Sequence, residues 1–194
     1  MIIKPTKDLT LDCYADADFA GLWSHSDPDD PKSVKSRSGF VITLGTIPVS
    51  WSSKLQTETA LSTMEAEYIC LSQAMRVLIP LRLVLDEVTV ALHLKQDPLS
   101  VIKSTIFEDN QACLALATSD PPKMTPRSKS IAVKYHWFRE HLEKGKMEIK
   151  AISSYDQVRI PSRNLLPRYP SRDSVSFIWD GKTRPYIISK TGGV

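Results

Sequence analysis

Six apolar residues constrain this 194-residue chain more than any other feature. Leu61, Met64, Tyr68, Leu71, Met75 and Leu78 recur at steps of three and four, the spacing that lines one face of an α-helix. A helix with one such stripe must bury it against a second layer. Strand-like segments around it supply that layer. In "LTLDCYAD", residues 9–16, Leu9, Leu11, Cys13 and Ala15 alternate with Thr10, Asp12, Tyr14 and Asp16, the period of a half-buried strand. "SGFVITLGTIPVSWSS", residues 38–53, reads as strands over Phe40–Leu44 and Val49–Trp51 around a turn at Gly45. Pro80 predicts a break or kink, with a second helical piece over about 81–94. Residues 104–117 read as a strand and then a helix with Asn110 as its N-cap. Residues 131–146 read as a helix ending near Gly145, and "MEIKAISS" alternates as a last strand. The order β, β, β, α, α, β, α, α, β is that of a mixed α/β layer fold.

Composition narrows the function classes. Residues 158–194 hold seven of the 25 Lys and Arg and two of the 22 Asp and Glu, which leaves residues 1–157 at net −2. The main body is therefore no nucleic-acid binder by bulk charge, and any such binding needs a local patch. Cys13, Cys70 and Cys113 are widely spaced in apolar surroundings and read as buried, reduced thiols. No CxxC or His/Cys cluster suggests zinc. Pro80 and Asp86 interrupt the longest apolar region, which predicts no membrane span. "MIIKPTKDLTLD" lacks the apolar core of a signal peptide, so an intracellular location, cytoplasmic or nuclear, is expected. After Val158 the character changes: "RIPSRNLLPRYPSRD" has three prolines, four arginines and no periodicity. The expected organisation is a domain over 1–157 and a divergent basic tail over 158–194, poorly structured apart from a short apolar run near Phe177–Trp179.

Aspartate is disfavoured inside strands, yet Asp16 and Asp109 each close one. Two strand-end acids and a glutamate from the striped helix can converge on one spot. Carboxylates that converge repel one another unless cations lie between them, and hard Mg²⁺ or Mn²⁺ suits such oxygen donors. Two such ions can activate a water and stabilise a leaving oxygen in phosphodiester hydrolysis. The plain alternatives stand beside this: Asp16 as a loop cap, Asp109 as a favourable charge at a helix N-terminus, and the glutamates as solvated helix charges. The helical wheel does not choose between Glu65 and Glu67. Residues two apart point roughly 200° apart, so only one of them can face a given site.

"YADADFAG", "SRSGFVITLGTIPVSWSSKLQ", "ALSTMEAEYICLSQAM", "FEDNQACLALA" and "KYHWFREHLEKGKMEI" occur in that order. Together, over about residues 9–157, they resemble the ribonuclease H domain of Ty1/copia-type LTR retrotransposon Pol polyproteins. The resemblance implies an α/β fold of the ribonuclease H-like type, a mixed five-stranded sheet with flanking helices. It implies hydrolysis of the RNA strand of an RNA–DNA hybrid with two Mg²⁺ (or Mn²⁺) ions held by four acids. Carried over motif by motif, it implies Asp16, Glu65 and Asp109 as catalytic metal ligands, Glu65 being taken as the first acid of the E-A-E pair. Asp18 and Glu67 are then left with loop support and the helix surface. The implied partners are the hybrid and the reverse transcriptase domain of the same polyprotein, with no membrane. Ser36, Arg37, Ser38, Lys54 and Gln56 are candidate contacts to the hybrid backbone, which is read through phosphates and 2′-hydroxyls. For His136 and Trp137 packing is expected rather than catalysis.

The fourth acid is where the chain departs from the family. Asp156, Gln157 and Val158 match its D/E-Q-x-A-D-I-x-T-K pattern, but Arg159 stands where Ala is expected and Ile160 where the last acid is expected. The family's T-K-H-I-D reads here Ser128-Lys129-Ser130-Ile131-Ala132, and Met64 replaces a small hydroxyl residue. The abrupt change after Val158 suggests a frameshift, which translation of the other two frames tests. With three acids, impaired hydrolysis and a single bound ion are expected. A binding module without catalysis is the alternative.

Overall fold

The computed structural model describes residues 10–21, 29, 32–45, 47–93, 102–119, 131, 135–142, 146–153, 178–179 and 185–186. Strand β1, Thr10–Asp18, buries Leu11, Cys13, Ala15 and Ala17 and leaves the residues between them partly exposed, as its alternation requires. Strands β2, Arg37–Leu44, and β3, Ile47–Leu55, form an antiparallel hairpin. Gly45 turns it with φ 59°, a left-handed conformation that glycine adopts without a Cβ clash. The register shifts between Ile42 and Thr43, whose partners are Ser50 and Pro48, so Val49 is the extra residue of a bulge. Both strands run longer than the sequence patterns predict.

Helix α1 is continuous over Thr63–Ala91, through Pro80. The break expected at Pro80 is not there. Pro80 is exposed while Leu78 and Ile79 beside it are buried, so the ring points to solvent and core packing holds the helix on both sides. That packing offsets the backbone bond the proline cannot make. The predicted stripe is largely real: Tyr68, Leu71, Met75 and Leu78 are fully buried, but Leu61 lies outside the core at 76% exposure. By length and composition alone α1 could cross a membrane, contrary to the expectation from Pro80 and Asp86. Half of its most apolar stretch is buried against the rest of the domain, the behaviour of a core helix.

Strand β4, Lys103–Glu108, pairs parallel with β1, and β5, Met147–Ala151, pairs parallel with β4. Between them lie helix α2, Gln111–Thr118, and a 3₁₀ turn over Trp137–His141. Of the helix expected over 131–146, this 3₁₀ turn is what the described residues contain. The sheet order is β3-β2-β1-β4-β5, a mixed five-stranded sheet with flanking helices, as the ribonuclease H-like reading requires. Asn110 caps α2 as predicted, its side-chain oxygen accepting the Ala112 and Cys113 N–H groups at 3.0 Å. At the other end of α2 the Arg139 guanidinium donates to the Leu116 and Ser119 carbonyls. His136 and Trp137 pack as expected: Tyr68 Oη and His136 Nδ1 are 2.9 Å apart, and Trp137 Nε1 donates to Ser72 Oγ. Both tie the 3₁₀ turn to α1. Cys13, Cys70 and Cys113 are buried and free. Most of 158–194 lies outside the described residues; within it, β6, Ile178–Trp179, pairs antiparallel with β7, Pro185–Tyr186.

Candidate metal centre

The carboxyl ends of the parallel strands β1 and β4 lie side by side, since Tyr14 pairs with Phe107. Each chain continues from there into an acid, Asp16 and Asp109. This edge of an open α/β sheet is where such folds place their chemistry. The N-terminal half of α1 packs over β1 and brings the third acid. That acid is Glu67. Asp16, Glu67 and Asp109 each offer a carboxylate oxygen within 4.8 Å of the others.

Glu65, expected here from the motif, faces the other way. Its Oε2 accepts the Leu61 N–H at 2.9 Å, and its own N–H donates to Ser62 Oγ at 3.2 Å. This reciprocal pairing closes the helix start in the manner of a capping box. Glu67 is 4% exposed rather than on the helix surface. Residues two apart point roughly 200° apart, so with Glu65 held in the cap it is Glu67 that meets the strand acids. "STMEAE" contains the capping signature Ser62-x-x-Glu65, the one signal that separates the two acids without a structure.

Electrostatics marks the same place. Burial, then the charges of Glu108, Asp16 and Asp109, push the Glu67 carboxyl up to about 10, against a hydrogen bond from the Ala17 backbone that lowers it. Burial also raises Glu108, to about 8, opposed by the Asn110 N–H. Acids that crowd together in this way favour either protons or a cation between them. Glu67 Oε2 is buried without a hydrogen-bond partner. Oxygen-only donors, one of them unpaired, fit a hard divalent cation. Among the described residues the cluster holds three acids; Asp156 and Ile160, around the expected fourth position, lie outside them.

The predicted substrate contacts divide. Ser36, Ser38 and Gln56 are buried at 0%, 2% and 1% exposure, so they are not surface contacts. Gln56 Nε2 donates to Ser38 Oγ and to the Ala66 carbonyl, both at 2.9 Å, and stitches β2 to α1 beside Glu67. Ser36 Oγ accepts the Ala20 N–H, and its carbonyl accepts the Gln56 N–H. Ser36 braces the turn after β1 instead. Arg37 is partly exposed and Lys54 exposed, and both sit at the same end of the sheet as Asp16, since Arg37 pairs with Asp18. Asp18 is exposed, its carboxylate lying over Gly21, where a Cβ would come within 2.0 Å of it.

No family model matches the chain. It is 32% identical over 161 residues, 83% of its length, to the retrovirus-related Pol polyprotein from transposon TNT 1-94 of Nicotiana tabacum. It is 31% identical over 158 residues, 81% of its length, to that from transposon RE2 of Arabidopsis thaliana. The chain spans about a tenth of the length of these relatives, 11% and 10%. Among solved structures, LC11 ribonuclease H1 in complex with an RNA/DNA hybrid is similar over 76% of this chain and 88% of its own, at 15% identity and a TM-score of 0.46. Ribonuclease H1 from Halobacterium salinarum is similar over 76% and 89%, at 13% identity and a TM-score of 0.45.

Proposed function

We propose that this chain, whose homologues are Ty1/copia-type retrovirus-related Pol polyproteins, is a retrotransposon ribonuclease H domain that takes the RNA–DNA hybrid as substrate. The observation that carries the reading is the meeting of Asp16, Glu67 and Asp109 within 4.8 Å at the carboxyl edge of β1 and β4. These three residues would hold Mg²⁺ or Mn²⁺, and a bound ion would supply Lewis-acid stabilisation and an activated water for phosphodiester hydrolysis. Asp16 and Asp109 bring acids from two paired strands, and Glu67 adds one from the helix packed over them. Arg37 and Lys54, at the same sheet end, offer positive charge to a phosphate backbone. Gln56 and the Ser62–Glu65 cap hold the start of α1, and with it Glu67, in place.

The expected rate is low. The position matched to the fourth acid is Ile160, and loss of one electrostatic element at an active site typically costs about 10²–10³ in rate. That same substitution favours a second reading, a domain that holds hybrid without cutting it. The partner proposed besides the hybrid is the reverse transcriptase domain of the same polyprotein, in an intracellular setting. The test is incubation of the purified chain with a labelled RNA–DNA hybrid in Mg²⁺. Slow cleavage that Asp109→Asn abolishes supports the enzyme. Binding with no cleavage, equal with and without Mg²⁺, supports the second reading and ends the first.

A further inference from the structure

Glu108 is a buried acid to which the proposed reaction gives no task. It lies on the face of β4 that also buries Ser104 and Ile106, and it is 0% exposed. Its Oε1 accepts the Asn110 N–H at 3.0 Å, across the turn that carries Asp109. The Cys113 thiol, one turn into α2, also bonds its carboxylate. Its Oε2 is buried with no hydrogen-bond partner. Glu67 repeats the pattern, with one bond from the Ala17 N–H and a buried, unpartnered Oε2. A buried acceptor left unpaired is destabilising, and more so when charged. Two such oxygens on neighbouring acids, one of them a member of the cluster, point to a nearby cation. Of the neighbouring charges, Glu108 is the one Glu67 feels most strongly.

We propose that Glu108 is a positioning residue of the cation site: its Oε1 fixes the turn that presents Asp109, and its Oε2 adds a fourth negative oxygen to the field that holds the ion. The inference rests on the reading of Asp16, Glu67 and Asp109 as a cation site. Glu108 is not among the three acids that meet within 4.8 Å, so it acts behind them, through the field and through water, rather than as a ligand. It thereby supplies part of the charge that the acid expected at position 160 does not.

The test is Mg²⁺ binding to the full chain by titration calorimetry, with thermal melts in the presence and absence of Mg²⁺. Glu108→Gln keeps an acceptor for the Asn110 N–H and removes the charge. Its Mg²⁺ affinity is expected to fall about tenfold, the lower end for residues behind a metal's ligands, while its metal-free Tm stays at or above that of the wild type. Glu108→Met removes both roles and is expected to lose the same affinity with a lower metal-free Tm; either variant that folds decides the matter. Wild-type Mg²⁺ affinity in the folded variant, alongside an Asp109→Asn that binds none, overturns the role of Glu108 and leaves the cation site standing. If Asp109→Asn binds Mg²⁺ like the wild type, or the wild type binds none, the cation-site reading fails and this inference fails with it.

Discussion

Glu65 and Glu67 stand two residues apart on one helix and do unrelated work: Glu65 closes the helix start on the Leu61 N–H, and Glu67 is buried against Asp16 and Asp109. Substitutions should separate them. Glu67→Gln is expected to abolish measurable Mg²⁺ binding and to lower any hybrid cleavage by about 10²–10³. Glu65→Ala is expected to leave Mg²⁺ affinity unchanged and to cost about 0.5–2 kcal/mol of stability through the lost cap. Calorimetric titration with Mg²⁺ and a urea melt of each variant distinguish the two. The reverse pattern would restore Glu65 as the ligand.

The crowded acids make stability depend on pH in a defined direction. Glu67 and Glu108 have folded-state values raised to about 10 and about 8 from an ordinary 4.5. Between 4.5 and those values the folded chain binds more protons than the unfolded one, so their contribution is full below the ordinary value and is lost as pH rises. Metal-free stability should fall from about pH 5 toward pH 8, by up to about 1.4 kcal/mol per pH unit for each group titrating, and Tm should fall with it. Mg²⁺ should flatten the curve and its binding should release protons. A metal-free Tm that rises across this range contradicts the arrangement.

Gln56, just past β3, links β2 to α1 in a fully buried setting. Gln56→Leu leaves the Ser38 hydroxyl and the Ala66 carbonyl without their donor, and should destabilise by about 1–3 kcal/mol. Lys54→Ala, at an exposed position, should leave stability within about 0.5 kcal/mol and weaken hybrid binding with a shallower salt dependence. Denaturant melts and binding at two salt concentrations check the pair.

Pro80 lies inside a continuous helix with its ring exposed. Pro80→Ala restores an N–H donor and should stabilise the chain, by up to about 3 kcal/mol, with no change in Mg²⁺ affinity. A destabilised Pro80→Ala would mean that the helix requires a bend at this point. Thermal denaturation at fixed pH reads the sign directly.

Local pattern by itself determined much of this protein. Alternation at Leu11, Cys13 and Ala15 specified the first strand, Gly45 its hairpin neighbour's turn, Asn110 a helix cap, and the stripe from Tyr68 to Leu78 the core face of α1. Each is a short-range choice made by backbone sterics or by one face seeking burial. Asp16 and Asp109 were legible for the same reason, as acids placed where strands end. The continuation of α1 past Pro80 was not, because burial of residues far away in sequence outweighs one lost backbone bond. Nor was the burial of Ser36, Ser38 and Gln56, whose polar character resembles that of surface residues until their partners on α1 and in the turn after β1 are known. The choice of Glu67 over Glu65 belongs to the tertiary structure most clearly. Both acids flank the same stripe; the Ser62-x-x-Glu65 cap marks one of them, and the packing of α1 over β1 brings the other, Glu67, to Asp16 and Asp109.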